Sequence, residues 1–142
     1  MKMDWKGCKD SNMAKRIEPD FRKAGSIILA ANDRESTAKM LPLNETTKET
    51  ILSLMYDVLR ELLEALALQH GYKIYNHECF TSFLRDIIND EKFALDFDSA
   101  RQLRNSINYY GKKILIDDAN SSLSDINKMI SRARKLLDDN RK

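Results

Sequence analysis

Two arginines and two asparagines share one helical face between residues 101 and 108 of this 142-residue chain. Stepping about 100° per residue from Arg101 gathers Arg101, Arg104, Asn105 and Asn108 on one stripe, with Tyr109 at its edge. Leu103, Ile107 and Tyr110 fall on the other side. A guanidinium is a planar fork of five donors that suits phosphate or carboxylate. The carboxamides of Asn105 and Asn108 add donors and acceptors beside it. Such a stripe binds an oxyanion. Its competing use is internal, with Arg104 paired to an acid of a neighbouring helix.

Proton chemistry near neutral pH points to histidine, and the chain has two. In an up-and-down bundle the helix boundaries at Gly71, Asn76 and Gly111 would lie at one end. Arg104 stands seven residues before Gly111, about 10 Å along a helix. Glu64 stands seven before Gly71 and so at a similar level. This layout brings His77 toward Arg104 as a base, with Lys73 adding positive charge toward a phosphate. A capping or surface role is the alternative for His77. His70, His77 and Cys79 do not make a metal set, because no matched second cluster exists. Cys79 reads as a small packing residue. Lys128, Arg132, Arg134 and Lys135 serve either a nucleic-acid contact or a solvated helix face. No Walker loop, dinucleotide fingerprint or metalloprotease helix is present.

The run Arg104-Asn105-Ser106-Ile107-Asn108-Tyr109-Tyr110-Gly111 resembles the signature of HEPN domains. These are small helical bundles of prokaryotic toxin–antitoxin pairs and other defence systems. The stretch from Tyr56 to Tyr75, followed by this run, is similar to small stand-alone archaeal-type members. The resemblance covers about residues 20–138. It implies a metal-independent endoribonuclease whose two subunits form a composite site. Alternatively it implies a non-catalytic module that binds RNA or nucleotide, or partners a nucleotidyltransferase-type antitoxin. Arg104 and Asn105 carry over directly, as the pair that orients the phosphate. The family's proton-handling histidine follows the Arg after about four to six residues, and here Tyr109 stands in that place. Residues 78–142 contain no His. Tyrosine, with an ordinary pKa near 10, is a poor base at neutral pH but can donate a hydrogen bond or stack on a nucleobase.

Five helices would position these groups. The first starts near Asp20, with Phe21, Ala24, Ile28 and Ala31 on one stripe, and Leu41-Pro42 bounds it. The second spans 47–70, about 36 Å. It starts with a capping box from Thr46 to Glu49, or from Thr47, and ends at Gly71. Ile51, Met55, Val58, Leu62 and Leu66 form its stripe, widened by Leu52, Leu59 and Leu63, which suits the middle of a bundle. A third follows Asn76 as N-cap and closes at Asn89-Asp90. A fourth runs from Asp98 to Tyr110 and stops at Gly111. The fifth, Asp117 to Asp139, has a three-and-four-spaced seam from Ile116 to Leu137. No strand of useful length is apparent. The predicted fold is an all-α antiparallel up-and-down bundle over 20–142, after an irregular segment 1–19 in which Trp5 packs on the body.

Composition narrows the setting. Four Gly and two Pro in 142 residues disfavour an all-β fold. No apolar run approaches the roughly 18 residues of a membrane span. The N-terminus has no apolar h-region, so no secretory signal is expected. Two cysteines make no disulfide framework, which predicts a reduced cytoplasmic setting. Net charge runs +3 over 1–24, −6 over 25–100 and +5 over 101–142. That layout fits a polar molecule, a like-with-unlike dimer, a basic face toward phosphates, or solvated helix faces. The combined expectation is a homodimer that binds RNA or nucleotide, with no cofactor, metal or membrane.

Overall fold

The computed structural model describes residues 3–141. The order of elements is α1 (Trp5–Asp10), β1 (Ala14–Arg16), α2 (Phe21–Lys39), α3 (Lys48–Gln69), β2 (Tyr72–Ile74), α4 (Glu78–Asp86), α5 (Glu91–Tyr110) and α6 (Ile116–Asn140). The bundle is helical as expected, and the described residues add a two-stranded ribbon.

α3 is the axis. Its side chains from Ile51 to Leu68 are buried on nearly all sides, including Met55, Leu59, Leu62, Leu63 and Leu66. Each contributes roughly 1.5–3 kcal/mol on leaving water. α2 and α6 flank it, joined to each other by Arg134, which holds Glu35 at 2.7 Å and Asn32 at 2.9 Å. The predicted capping box is not formed. Thr47 is the N-cap without a side-chain cap bond, and Glu49 instead accepts the Ile114 N–H at 3.2 Å. Tertiary contact with the α5–α6 connection takes the carboxylate away from its own helix.

α5 begins seven residues earlier than expected. Asp90 caps it by accepting the Phe93 N–H, and Phe93, Ala94 and Phe97 are buried in its first turns. Gly111 ends it in the left-handed conformation, φ 62°. Its direction corrects the predicted layout. Ser53 donates to Asn108 at 2.7 Å, so the end of α5 lies beside the start of α3. Gly71 and Gly111 therefore sit at opposite ends. The pass that sequence reading left out is β2. It carries the chain back along α3 before α4 runs forward again, with His77 beside Tyr56 and Phe83 beside His70.

Residues expected to be irregular hold α1 and β1. Trp5 is buried against Tyr72 and Phe83, as its size suggested. β1 and β2 pair antiparallel with Ala14 opposite Ile74, Lys15 opposite Lys73 and Arg16 opposite Tyr72. Gly71, φ 83°, lets the ribbon close on α3, because a Cβ there would meet the Ile17 carbonyl at 2.9 Å. Cys8 and Cys79 form a disulfide across 71 residues of chain, which corrects the expectation that the two cysteines make no disulfide, the ground given for a reduced setting, and the reading of Cys79 as a small packing residue. The short helix α1 carries Cys8 onto the first turn of α4. Among the described residues no helix is long and apolar enough to cross a membrane.

Candidate functional site

The middle of α3 faces the second half of α5. α3 contributes Tyr56, Asp57, Arg60 and Glu64. The antiparallel α5 contributes Asp98, Arg101, Arg104 and Asn108. His77 arrives from the turn after β2, as the N-cap residue of α4 with no side-chain cap bond.

Of the three arginines here, Arg104 is the least satisfied. Its Nη2 reaches Asp57 Oδ1 only at 3.5 Å. Its Nε is buried with no hydrogen-bond partner. Its Cζ lies 5.6 Å from the centre of the Tyr56 ring, within cation–π range. The side chain is 19% exposed, so the guanidinium is recessed yet reachable. Arg101, by contrast, is held by Asp98 through Nε at 3.2 Å and Nη2 at 3.0 Å. Asp98 is 2% exposed and also accepts from Thr81 and Gln102. Arg60 pairs with Glu64 at 3.3 Å.

His77 Nδ1 stands 3.5 Å from the Tyr56 hydroxyl. Burial first, then the positive charges of Arg60, Arg104 and Arg101, push His77 down to about 4. Arg60, Arg104 and Arg101 all act on the imidazole as positive charges, and each of them is also paired with a carboxylate, Glu64, Asp57 and Asp98 in that order. Burial pushes Tyr56 up to about 12, against the opposing pull of the same arginines. At neutral pH both groups are uncharged, and the hydroxyl donates to Nδ1 in the tautomer that carries its proton on Nε2.

The other sequence candidates are dispersed. Asn108 is exposed and occupied by Ser53. Asn105 is partly buried on the same helix. Tyr109 is 70% exposed near the end of α5, and no contact ties it to Arg104 or His77. Lys73 is on β2 with its ammonium over Tyr75, at 5.5 Å, and is not among the charges bearing on His77. Glu64 lies opposite Arg60 and not Arg104, because the predicted shared end does not exist. His77 reaches the arginines by the return of β2, a different route from the one expected. Tyr56, Asp57, Arg60 and Asp98 were missed as site residues. One signal was available: Asp57 and Arg60 are the charged residues of the otherwise uncharged stretch 50–60.

A groove of about 680 Å³ runs between α5 and α6, over Phe93, Leu103 and Met129. It shares no residue with the arginine recess. Of its rim charges, Lys92 pairs with Asp96 and Arg132 with Asp90. The described residues include no group of His, Cys, Asp and Glu suited to a metal ion. No protein-family model and no curated protein sequence matches this chain.

Proposed function

We propose that the chain is a HEPN-like module that binds the phosphate of RNA or of a nucleotide. Arg104 is the principal contact, Asn105 and Asn108 flank it, and Arg101 and Arg60 supply positive potential. The observation that carries this reading is the incomplete pairing of Arg104, with a buried donor unused and its one acid at 3.5 Å. A phosphate oxygen would satisfy that donor in a charge-assisted bond. The module is non-catalytic in this reading and works as a homodimer or beside a nucleotidyltransferase-type antitoxin. A cytoplasmic setting belongs to it, and burial of both cysteines would protect their bridge from reductants there.

A second reading, the metal-independent endoribonuclease, draws on the approach of His77 to the Arg104–Tyr56 pair. Its imidazole would take the proton of an attacking hydroxyl while Arg104 holds the phosphate. The test is incubation of the protein and Arg104→Ala with a labelled RNA and with a mononucleotide, in chelator. Retention of RNA without cleavage, lost in the variant, supports the module. Cleavage lost in Arg104→Ala and in His77→Ala supports the enzyme. Unchanged behaviour of Arg104→Ala overturns both.

A further inference from the structure

The outer face of the β1–β2 ribbon has an unneutralised charge pattern. Ala14 and Ile74 are opposite each other and buried, which fixes the inner face. Alternation then places Lys15 and Lys73 opposite each other on the outer face. Like charges directly opposed across a strand pair are unfavourable. Among the described residues neither lysine has an ion-pair partner, although acids neutralise most other buried or half-buried cations here. Tyr75 follows on the same side, 56% exposed, with the Lys73 ammonium 5.5 Å from its ring centre. Two residues further on stands His77, at the edge of the arginine recess.

We propose that this face is the track by which a single-stranded RNA reaches Arg104, with Lys15 and Lys73 holding its backbone and Tyr75 stacking one base. The inference rests on the phosphate reading and narrows it from any phosphate to an unpaired strand. Basic residues along a backbone, interleaved with an aromatic ring, are the usual construction of a single-strand site. A duplex offers no free base face to Tyr75. Charge complementarity selects a polyanion, and the exposed ring selects one with bases.

The experiment uses the full chain and fluorescence anisotropy with a labelled 12-nucleotide single-stranded RNA, the same sequence as a duplex, and a nucleoside monophosphate as competitor. Tyr75→Ala should weaken the single strand about tenfold, from the usual worth of one stacked base. Tyr75→Phe should retain the affinity. Lys15→Gln should weaken it and lower the salt dependence by somewhat less than one unit of slope. Both losing variants should bind the monophosphate as the wild type does, which separates them from Arg104→Ala. Melting temperatures near wild type confirm that these surface variants fold. Equal affinity for duplex and single strand overturns the track, as does wild-type RNA binding by Tyr75→Ala and Lys15→Gln while Arg104→Ala fails. So does equally strong displacement of RNA by polyglutamate, which would mark an acidic-protein surface. Loss of every affinity in Arg104→Ala alone leaves the phosphate reading standing without the track. Failure of the wild type to bind either RNA or monophosphate overturns both.

Discussion

The Tyr56 ring joins the two groups with the most chemical potential in this fold: its hydroxyl is 3.5 Å from His77 Nδ1, and its face lies 5.6 Å from the Arg104 guanidinium carbon. Tyr56 is fully buried and stacks on Phe97 at 5.7 Å. It is held by the core while its polar end faces the recess. Tyr56→Phe keeps the ring and removes the one hydroxyl. Stability should change by about 1 kcal/mol. With the imidazole proton on Nε2, the hydroxyl donates to Nδ1 and supports the neutral ring, so the His77 pKa should rise in the variant. Imidazole proton chemical shifts followed through a pH titration measure this, and an unmoved or lowered value would contradict the contact.

The pH dependence of stability follows from the same imidazole. Folded His77 titrates at about 4, below its ordinary 6.5, and burial lowers His70 as well. Below pH 6.5 the unfolded chain takes up protons that the folded chain refuses. The stabilisation is therefore complete above pH 6.5 and is lost as pH falls toward 4. Glu35, lowered by its bond from Arg134, and Asp86, lowered by its bond from Arg85, extend the loss further into acid. Melting temperature should fall steadily from pH 7.5 to 5, and His77→Gln should flatten that fall. An anion in the recess raises the His77 pKa, so phosphate binding should tighten over the same interval. Affinity independent of pH would remove His77 from the site.

Two arginines three residues apart should respond in opposite ways. Asp98 is buried and accepts two bonds from Arg101, so Asp98→Ala strands that guanidinium and should cost about 3 kcal/mol in chemical denaturation. Arg104→Ala removes a 3.5 Å pair and an already unpartnered Nε, and should cost about 1 kcal/mol or less while abolishing phosphate binding. A large stability loss in Arg104→Ala with no ligand effect would make the residue a structural brace to Asp57.

The Cys8–Cys79 bridge closes a 71-residue separation, and in the chain-entropy account a loop of that length is worth roughly 4 kcal/mol. α1 is only six residues long and cannot hold itself. Trp5, the Asp86 bond to its N–H and the ribbon remain after reduction. Reduction with a dithiol under denaturing titration should lower stability by several kcal/mol without unfolding the bundle. Helicity by circular dichroism should fall by less than a tenth in native buffer.

The sequence was most legible where periodicity ran longest. α2, α3 and α6 were placed to within a residue or two at their starts, because each keeps one apolar stripe over many turns. The beginning of α5 was missed, since Glu91 to Asp96 alternates charge with Phe93 and Ala94 too briefly to show a period. The ribbon was missed because each strand has three residues, and long-range pairing leaves no local pattern. From that one omission came the wrong end for Gly111 and the wrong level for Glu64. The stripe of Arg101, Arg104 and Asn108 was readable on a wheel. Its opposite wall, Tyr56 to Arg60, was not, because which face of α3 meets α5 is decided by packing.

Two glycines in the left-handed region should differ in their tolerance of a methyl group. At Gly111, φ 62°, an added Cβ meets nothing within 4 Å. Gly111→Ala should cost only the left-handed penalty, about 1–2 kcal/mol. At Gly71, φ 83°, the Cβ would stand 2.9 Å from the Ile17 carbonyl and 3.4 Å from Pro19. The obstacle is backbone on one side, and Gly71 itself accepts the Ile17 N–H at 2.9 Å. Relief therefore requires β1 to separate from the end of α3. Gly71→Ala should cost clearly more than Gly111→Ala in denaturant titration. It should also raise amide exchange at Ile17 and Tyr75, the two bonds that flank the ribbon. Equal costs for the two variants would mean that the ribbon can move away freely, and a ribbon that moves freely could not carry Tyr75 as a fixed platform.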